Sequence, residues 1–366
     1  MVETRIAQLD TRHLAIEEAF EIVRWAAHDE AERSSSGVHA VLGCNRRAAP
    51  RPSCGSLGCG AAMIQVSNAN RVVFPEVGRT KGDVVAYYER VASHALVHLA
   101  DRPLSLRRFP KGLAAAGFFQ KNVPAHYPES IARFPVPRNK GVTVYPVVSS
   151  AEHLAFLANQ GVIELHVPTA RVSHLDRPDR VVVDLDPPSG APVALVRRAA
   201  HFARAMLGEL GLDTVPIATG SKGYHVVAAL RPAVSADVLG IAMQKVAALL
   251  AARHPDELTI VFRVALRGQR VFVDWLRNMH LATVVAPYSL RARPRATVAT
   301  PLAWGELDAA PPDAFTIDDL ERLLDRPDSL AELAEAPSDT ERFVAAVDAA
   351  FERSGLVLEA FDRFRS

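Results

Sequence analysis

The sequence predicts a mixed α+β (mixed α/β) fold in which helices flank a central β-sheet. From residue 140 onward, short apolar runs rich in β-branched residues alternate with longer segments of helical periodicity. The strand candidates are VTVYPVV, VIELHV, VVVDLD, TVPIAT, HVVAAL and VFVDWL, and the helix candidates are residues 151–160, 191–211 and 234–253. This alternation is typical of a domain built around a sheet. The apolar content of 49% is sufficient for a large buried core.

Residues 1–60 form an N-terminal extension whose role the sequence does not define. Residues 11–32 have the apolar spacing of a helix, and a Ser-, Gly-, Pro- and Arg-rich stretch without periodicity follows them. This stretch contains Cys44, Cys54 and Cys59. A zinc site there would need a fourth ligand such as His39, and the spacings match no standard zinc finger.

A second region begins near Met63 and is predicted to contain the main domain, residues 61–315, in two parts, 61–145 and 146–315. The segment IQVSNANRVVFP has the pattern of a strand and a turn. A helix over TKGDVVAYYERVASHALVHL is predicted to begin after Thr80, whose spacing from Asp83 is that of a capping box. Thr316 and Asp319 repeat this spacing, and residues 316–366 are predicted to be a helical tail that packs on the main domain.

The charges are unevenly distributed although the net charge is only +1. Residues 61–145 carry 12 basic and 5 acidic side chains, and residues 146–300 carry 17 and 12, whereas residues 301–366 carry 6 and 16. The basic middle of the chain is therefore a candidate nucleic-acid-binding surface. No apolar run approaches the length needed to span a bilayer, and the N-terminus lacks the apolar core of a secretory signal. We expect a cytoplasmic protein with no membrane partner.

Carboxylates follow two of the predicted apolar strands. In VVVDLDPP, Asp184 and Asp186 share one face of a strand that ends at the prolines. In VFVDWLRN, Asp274 also follows an apolar run. Two carboxylates at a strand end can bind hard divalent cations. If the two strands are neighbours, three carboxylates converge, as in two-metal phosphoryl-transfer sites; otherwise the acids are ordinary solvent-facing strand ends.

A polar turn, ATGSKGYH, lies between these two acidic motifs. Its glycines, hydroxyl groups and lysine could offer backbone N–H groups and a cation to a phosphate. It is not a Walker A loop, which would need GxxxxGK[ST] at the start of a helix. An ordinary β-hairpin turn remains the alternative.

Taken in order, these motifs resemble the polymerase domain of bacterial ligase D, a member of the archaeo-eukaryotic primase superfamily. The resemblance extends from about Ile64 to Leu307. It comprises NANRVVFP with GRTKGDVVAYYERVA, RPLSLRRFP with FFQKNVP, GVIELHV, DRPDRVVVDLDPP, TGSKGYHVV, VFVDWLRN and APYSLRARPRATVATPLAW. It implies a primase-polymerase fold. Since no ligase or phosphoesterase module is recognisable, we expect a stand-alone, mycobacterial-type primase-polymerase.

The resemblance implies roles for individual residues. Asp184, Asp186 and Asp274 would be the catalytic residues and would bind two Mn²⁺ or Mg²⁺ ions. The nucleotide-binding residues would be His166, Thr219, Ser221, Lys222, His225, Arg277 and Arg291. Thr219 stands where the family pattern usually has Ser.

A separate group of residues would face DNA. Asn68, Arg71 and Lys81 match the family's pocket for the 5′-phosphate beyond a gap, although Arg71 stands where some relatives have Lys. Phe118 and Phe119 would stack on template bases, with Lys121 along the backbone. Of the two phenylalanines, we expect one to pack mainly in the core.

The resemblance implies a DNA-dependent nucleotidyltransferase that fills gaps and repairs ends, with a preference for ribonucleotides. Its partners would be gapped or broken DNA and NTP or dNTP, with end-joining or ligase proteins as candidate protein partners, at the nucleoid. Two alternatives are a non-catalytic DNA-end binder and a phosphatase of the haloacid dehalogenase type. The phosphatase motif is disfavoured by Pro187 and Pro188, which directly follow the acidic pair.

Overall fold

The computed structural model describes residues 65–138 and 141–358. The helix predicted over residues 11–32 and the cysteine-containing stretch lie outside these residues. From Val66 onward the described residues form one compact unit. Within this part of the chain, none of the helices has the length and apolar character needed to cross a bilayer.

The secondary structure alternates strands and helices. In chain order the strands are β1 (Val72–Phe74), β2 (Arg79–Thr80), β3 (Ser105–Arg108), β4 (Phe118–Gln120), β5 (Ala132–Arg138), β6 (Gly141–Val147), β7 (Val162–Pro168), β8 (Arg180–Asp186), β9 (Val215–Ala218), β10 (Tyr224–Ala229), β11 (Leu258–Thr259), β12 (Val271–Asp274), β13 (Thr283–Val285) and β14 (Thr300–Pro301). The α-helices are α1 (Lys81–Arg90), α2 (Ala92–Leu99), α3 (Ala151–Asn159), α4 (Val193–Glu209), α5 (Ala236–Arg253), α6 (Leu320–Leu324), α7 (Ser329–Glu335) and α8 (Thr340–Ser354).

The largest sheet has six strands in the order β11-β12-β8-β10-β9-β14. All neighbouring pairs are antiparallel except β11 and β12. Helices α4 and α5 pack against the central strands. The three consecutive valines of β8, Val181 to Val183, are at most 2% exposed. Such a continuous apolar run is expected for a strand that is buried on both faces. The sheet and the helices packed on it confirm the predicted central sheet flanked by helices.

A second sheet of four antiparallel strands has the order β13-β7-β3-β4. The hairpin β5–β6 and the pair β1–β2 are separate two-stranded sheets. The segment after β13 runs beside β7, where Ser289 Oγ accepts a hydrogen bond from Leu165 N at 2.8 Å. Tyr88 of α1 contacts both β7 and the segment after β13, since its hydroxyl donates to Ile163 O and accepts from Leu290 N. These buried bonds align the second sheet with the residues that follow β13.

Both predicted capping boxes are present. Asp83 Oδ2 accepts from Thr80 N at 2.7 Å, and Thr80 Oγ1 accepts from Asp83 N at 3.2 Å. The Thr316 box begins with a 3₁₀ turn, Ile317–Asp319, before α6. The single helix predicted over residues 80–99 is instead α1 and α2, separated at Val91, whose backbone (φ −81°, ψ −3°) departs from α-helical geometry.

Several strand boundaries differ from the sequence prediction. Strands β3 and β4 have four and three residues and show too little alternation to be identified from the sequence. The predicted strand VFVDWL ends at Asp274 because the carboxylate of Asp274 accepts from Leu276 N at 3.1 Å. This bond starts a 3₁₀ turn, Trp275–Asn278.

A buried polar cluster joins α2 to the C-terminal helices. His98 Nε2 lies 2.7 Å from Asp328 Oδ2, and the Tyr288 hydroxyl donates to the same oxygen at 3.0 Å. Burial lowers the pKa of His98, although Asp328 opposes the shift. The hydrogen bond from His98 lowers the pKa of Asp328, although burial opposes that shift. Neutral His98 donating to ionised Asp328 satisfies both side chains.

We predict that acidification destabilises the protein partly through His98. An unfolded histidine gains a proton as pH falls through about 6.5, whereas folded His98 stays neutral to a lower pH. The free energy of unfolding should therefore fall between pH 7.5 and 5.5, and His98→Gln should have a smaller fall, as measured by urea denaturation. His201→Gln is the control, because the His201 side chain is 41% exposed. The prediction fails if His98→Gln and the wild type lose equal stability over this range.

Candidate active site

The candidate site lies at the C-terminal end of β8, next to the start of β10 and to Asp274, the last residue of β12. Antiparallel pairing places Asp274 of β12 opposite Asp184 of β8, and His225 of β10 opposite Asp184 on the other side. Asp186 follows two residues later and therefore lies on the same face of β8 as Asp184. The structure thus brings together three acidic residues from two sequence motifs that are almost 90 residues apart.

Arg277 lies between two of these carboxylates. Its Nε is 3.3 Å from Asp184 Oδ2 and 3.1 Å from Asp274 Oδ2. Asn278 fixes the 3₁₀ turn that carries Arg277: its side chain accepts from Val182 N at 2.8 Å and donates to Val182 O at 2.7 Å. Sequence reasoning missed this role of Asn278, which is fully buried; a polar residue at the end of an apolar motif is a weak signal.

The three acidic side chains lie close together and are partly buried. Burial raises the pKa values of Asp184 and Asp274 to about 6; the positive charge of Arg277 opposes the shift and the negative charge of Asp186 adds to it. An all-carboxylate donor set suits a hard divalent cation. As they stand, no three or more His, Cys, Asp or Glu side chains within 65–138 and 141–358 are arranged to hold a metal ion. Arg277 instead supplies the positive charge between Asp184 and Asp274.

The polar turn after β9 packs closely on β8. Gly220 has φ +66°, a left-handed conformation that favours glycine. A Cβ on Gly223 would collide with the carbonyl oxygen of Leu185. Thr219 is 6% exposed and its hydroxyl donates to Gly223 O at 2.7 Å. In this structure the Thr219 hydroxyl, which is predicted to contact the nucleotide, therefore closes its own turn.

The other predicted residues of this turn contact charged groups. Ser221 Oγ accepts from Arg293 at 2.6 Å. Lys222 Nζ donates to Pro187 O at 2.7 Å and lies 3.6 Å from Asp186 Oδ1. The turn therefore places Lys222 beside Asp186 and contacts a second cation, Arg293. Sequence reasoning missed Arg293, which is two residues beyond the predicted Arg291.

His225 and Arg291 lie beside the turn. Arg291 donates to the carbonyl oxygen of Thr219. His225 Nε2 is 3.6 Å from Asp184 Oδ1, whereas its Nδ1 is buried without a hydrogen-bond partner in the described part of the chain. Burial, together with the positive charges of Arg291 and Arg277, lowers the pKa of His225 to about 3. His225 is thus a neutral ring whose Nε2 lies beside the carboxylate of Asp184.

Predicted DNA-facing residues lie on the second sheet. Phe118 and Phe119 are 46% and 56% exposed, so the prediction that one of them packs mainly in the core is wrong. Both lie on β4, an edge strand on which successive side chains point to opposite faces. His166 of β7 contacts the Phe119 ring edge-on, with a centroid separation of 5.4 Å. Lys121 directly follows β4. The exposed ring of Phe119 therefore lies next to His166, and the exposed ring of Phe118 lies on the opposite face of β4 beside Arg108.

Asn68, Arg71 and Lys81 line one pocket of about 220 Å³. Lys81 is 7% exposed, and its Nζ donates to the carbonyl and hydroxyl oxygens of Ser67 at 2.7 and 2.8 Å. Burial and the nearby charge of Arg71 lower the pKa of Lys81. Arg71 donates to Pro110 O at 2.6 Å. Arg108, which sequence reasoning missed, also lines this pocket, so three cations surround it.

Comparisons with known proteins agree with this architecture. Residues 80–330 match the family model described as LigD, primase-polymerase domain. The chain is 34% identical over 284 residues to a multifunctional non-homologous end joining protein LigD of Mycolicibacterium smegmatis, covering 77% of this chain and 37% of that protein. It is 37% identical over 253 residues to a LigD of Mycobacterium tuberculosis, covering 67% and 33%. The chain thus spans about a third of the length of these relatives.

A solved structure is also similar. The polymerase domain from Mycobacterium tuberculosis ligase D, in complex with DNA, superposes with a TM-score of 0.70 at 34% identity. The superposition covers 75% of this chain and 99% of that domain. The fold and the sequence thus lead to one assignment: the chain belongs to the LigD primase-polymerase domain family.

Proposed function

We propose that this protein is a template-directed nucleotidyltransferase that fills gaps and repairs ends of DNA, with ribonucleotides as preferred substrates. The observation that carries the proposal is the row of Asp274, Asp184 and His225 across three strands, with Asp186 on the same face. Membership of the LigD primase-polymerase family supports it, as does the presence of DNA in the similar solved structure. DNA with gaps or breaks, nucleoside triphosphates and end-joining or ligase proteins would be its partners.

The proposal assigns Asp184, Asp186 and Asp274 to Mg²⁺ or Mn²⁺ binding. The fit rests on their chemistry, because the three side chains are hard oxygen donors. Burial raises the pKa values of Asp184 and Asp274, and Arg277 lies between these two carboxylates. When bound, such ions activate the attacking hydroxyl and neutralise charge on the phosphates. Bound cations would also hold these carboxylates ionised near neutral pH.

The residues around the acidic cluster would bind the incoming triphosphate. Arg277, Lys222 and Arg291 carry positive charge within reach of the acidic end of β8. Preorganised cations at this position stabilise negative charge that develops on the leaving pyrophosphate. Neutral His225, whose Nε2 lies 3.6 Å from Asp184 Oδ1, would donate a further hydrogen bond from this nitrogen to a phosphate oxygen. Positioning and electrostatic stabilisation therefore suffice, without a strong protein base.

The second sheet and the pocket would hold the DNA. Phe118 and Phe119 offer exposed rings for stacking on template bases, worth about 1–3 kcal/mol per base. Arg71 and Lys81 would bind the 5′-phosphate on the far side of a gap, and the arginine can do so with two parallel hydrogen bonds. A phosphate would replace the present bonds of these two side chains to Ser67 and Pro110.

Asp184→Asn and Asp274→Asn should each reduce nucleotide incorporation by at least about 100-fold, the scale of removing one preorganised electrostatic group. Binding to a gapped duplex should be unchanged, because the pocket and the aromatic rings are intact. The measurement is primer extension on a gapped duplex with Mn²⁺ or Mg²⁺ and ribo- or deoxynucleotides, beside a binding assay. Asp213→Asn is the control, since Asp213 is exposed. Incorporation at the wild-type rate by either variant would exclude the proposed chemistry and favour a non-catalytic DNA-end binder.

Arg71→Ala and Lys81→Ala should remove the preference for a 5′-phosphorylated gap over a 5′-hydroxyl gap. A charge-assisted hydrogen bond contributes about 1.5–3 kcal/mol, so affinity for the phosphorylated gap should fall by roughly 10- to 100-fold. Fluorescence anisotropy with the two duplexes at fixed salt measures this difference. Arg90→Ala is the matched control on the same helix as Lys81, because Arg90 pairs with Glu321 instead of lining the pocket. Retention of the phosphate preference by both pocket variants would refute the assignment.

A further inference from the structure

A buried carboxylate, Glu164, lies between the second sheet and the polar turn. Glu164 is on β7, directly opposite Arg107 of β3, and is 1% exposed. It is outside the acidic cluster at the end of β8. A carboxylate so completely buried is rare unless it is paired, and the partners of Glu164 point in two directions.

Two partners of Glu164 support the exposed ring of Phe119. His166 Nε2 lies 3.0 Å from Glu164 Oε2, and Arg107 donates to Glu164 Oε1 at 3.3 Å. Both partners contact Phe119: His166 edge-on, and Arg107 with its guanidinium carbon 5.8 Å from the ring centroid. Glu164 therefore fixes both side chains on which the Phe119 ring rests.

The other partners of Glu164 lead to the polar turn. Ala292 N donates to Glu164 Oε1 at 2.9 Å, and Arg291 Nε lies 3.4 Å from the same oxygen. Arg291 in turn donates to the carbonyl oxygen of Thr219, the first residue of the turn. The backbone and the guanidinium of the 291–292 segment are thus both held by this one carboxylate.

Glu164 is ionised and central to the local charge balance. Burial would raise its pKa, but the hydrogen bond from His166, the charge of Arg291 and the backbone N–H of Ala292 hold that pKa well below the usual range for glutamate. Without this negative charge, Arg107 and Arg291 would be two cations facing the same buried site. Breaking a buried ion pair is costly because the remaining charge is uncompensated.

We propose that Glu164 is a positioning residue that couples the template-stacking ring of Phe119 to the triphosphate-binding arginine Arg291. The inference rests on the proposed function, because it assigns Phe119 to template and Arg291 to nucleotide. A base stacked on Phe119 would fix the position of this ring against His166 and Arg107. These two side chains and Arg291 all contact the carboxylate of Glu164. Correct placement of the template and of the incoming nucleotide is therefore linked through one carboxylate.

The test is Glu164→Gln, which keeps the shape of the side chain and removes its charge. The kcat/KM for a correctly paired nucleotide should fall by roughly 10- to 100-fold, mainly through KM, as expected when a binding group is displaced by about 1 Å. Discrimination between paired and mispaired nucleotides should fall as well. The preference for a 5′-phosphorylated over a 5′-hydroxyl gap should be unchanged, because the pocket around Lys81 does not include Glu164.

Asp179→Asn is the matched control. Asp179 is a second carboxylate, 14% exposed, that pairs with arginines, with Arg102 at 2.6 Å and Arg171 at 2.8 Å, and these pairs lie away from the polar turn and from Phe119. The Asp179→Asn variant should be less stable than the wild type but should keep the nucleotide KM and the discrimination between paired and mispaired nucleotides. Glu164→Asp retains the charge and should recover part of the discrimination. Arg107→Met removes one of the two supports of Phe119 and leaves the contacts of Glu164 with Ala292 and Arg291 in place, so it should reduce discrimination more than nucleotide affinity.

The outcomes separate the two claims. If the wild type incorporates templated nucleotides and Glu164→Gln has an unchanged KM and unchanged discrimination, the coupling role is wrong while the proposed function stands. If Asp179→Asn changes KM and discrimination as much as Glu164→Gln, the effect is one of general stability and the coupling role is again wrong. A wild type without templated incorporation overturns both claims.

Discussion

Like charges crowd at the end of β8, and much of the surrounding structure follows from the need to neutralise them. Asp184 and Asp274 face each other across an antiparallel pair, with Asp186 on the same face, in a position partly removed from water. Burial without neutralisation would favour their protonated forms. Arg277 lies between two of them, Lys222 lies beside the third, and fully buried Asn278 anchors the turn that carries Arg277 to β8. The need to neutralise these carboxylates thus accounts for the positions of Arg277, Lys222 and Asn278.

A second buried charge, that of Glu164, lies between the four-stranded sheet and the polar turn after β9. Glu164 and the segment after β13 join the four-stranded sheet to the turn beside β8. Elsewhere, the acidic C-terminal segment neutralises part of the basic region: Arg79 pairs with Asp318 and Arg90 pairs with Glu321. The cations that line the pocket do not take part in these pairs. Charge compensation by the C-terminal segment thus leaves the basic surface concentrated at the pocket and the adjoining sheet.

Prediction from the sequence succeeded where the signal is local. Capping boxes depend on residues three positions apart, and both predicted boxes are present. The long helices and the buried strand β8 have strong periodic patterns and were identified with boundaries within about three residues. Short strands such as β3 and β4 were missed because four residues or fewer show no periodicity and their pairing partners are distant. The exposure of Phe118 and Phe119 also depends on β4 being an edge strand, which no local pattern reveals.

The sequence by itself determined the chemistry that is available: acidic residues at the ends of apolar strands, a glycine-containing polar turn, an excess of basic residues in the middle of the chain, and ordered motifs that resemble a known family. Only the tertiary structure decided which of these groups meet. The pairing of β12 with β8 places Asp274 opposite Asp184, and the pairing of β3 with β7 places Arg107 opposite Glu164. The reason is physical: strand pairing and burial act between residues distant in the chain, so the electrostatic environment of a side chain is set by neighbours that its own sequence motif does not contain.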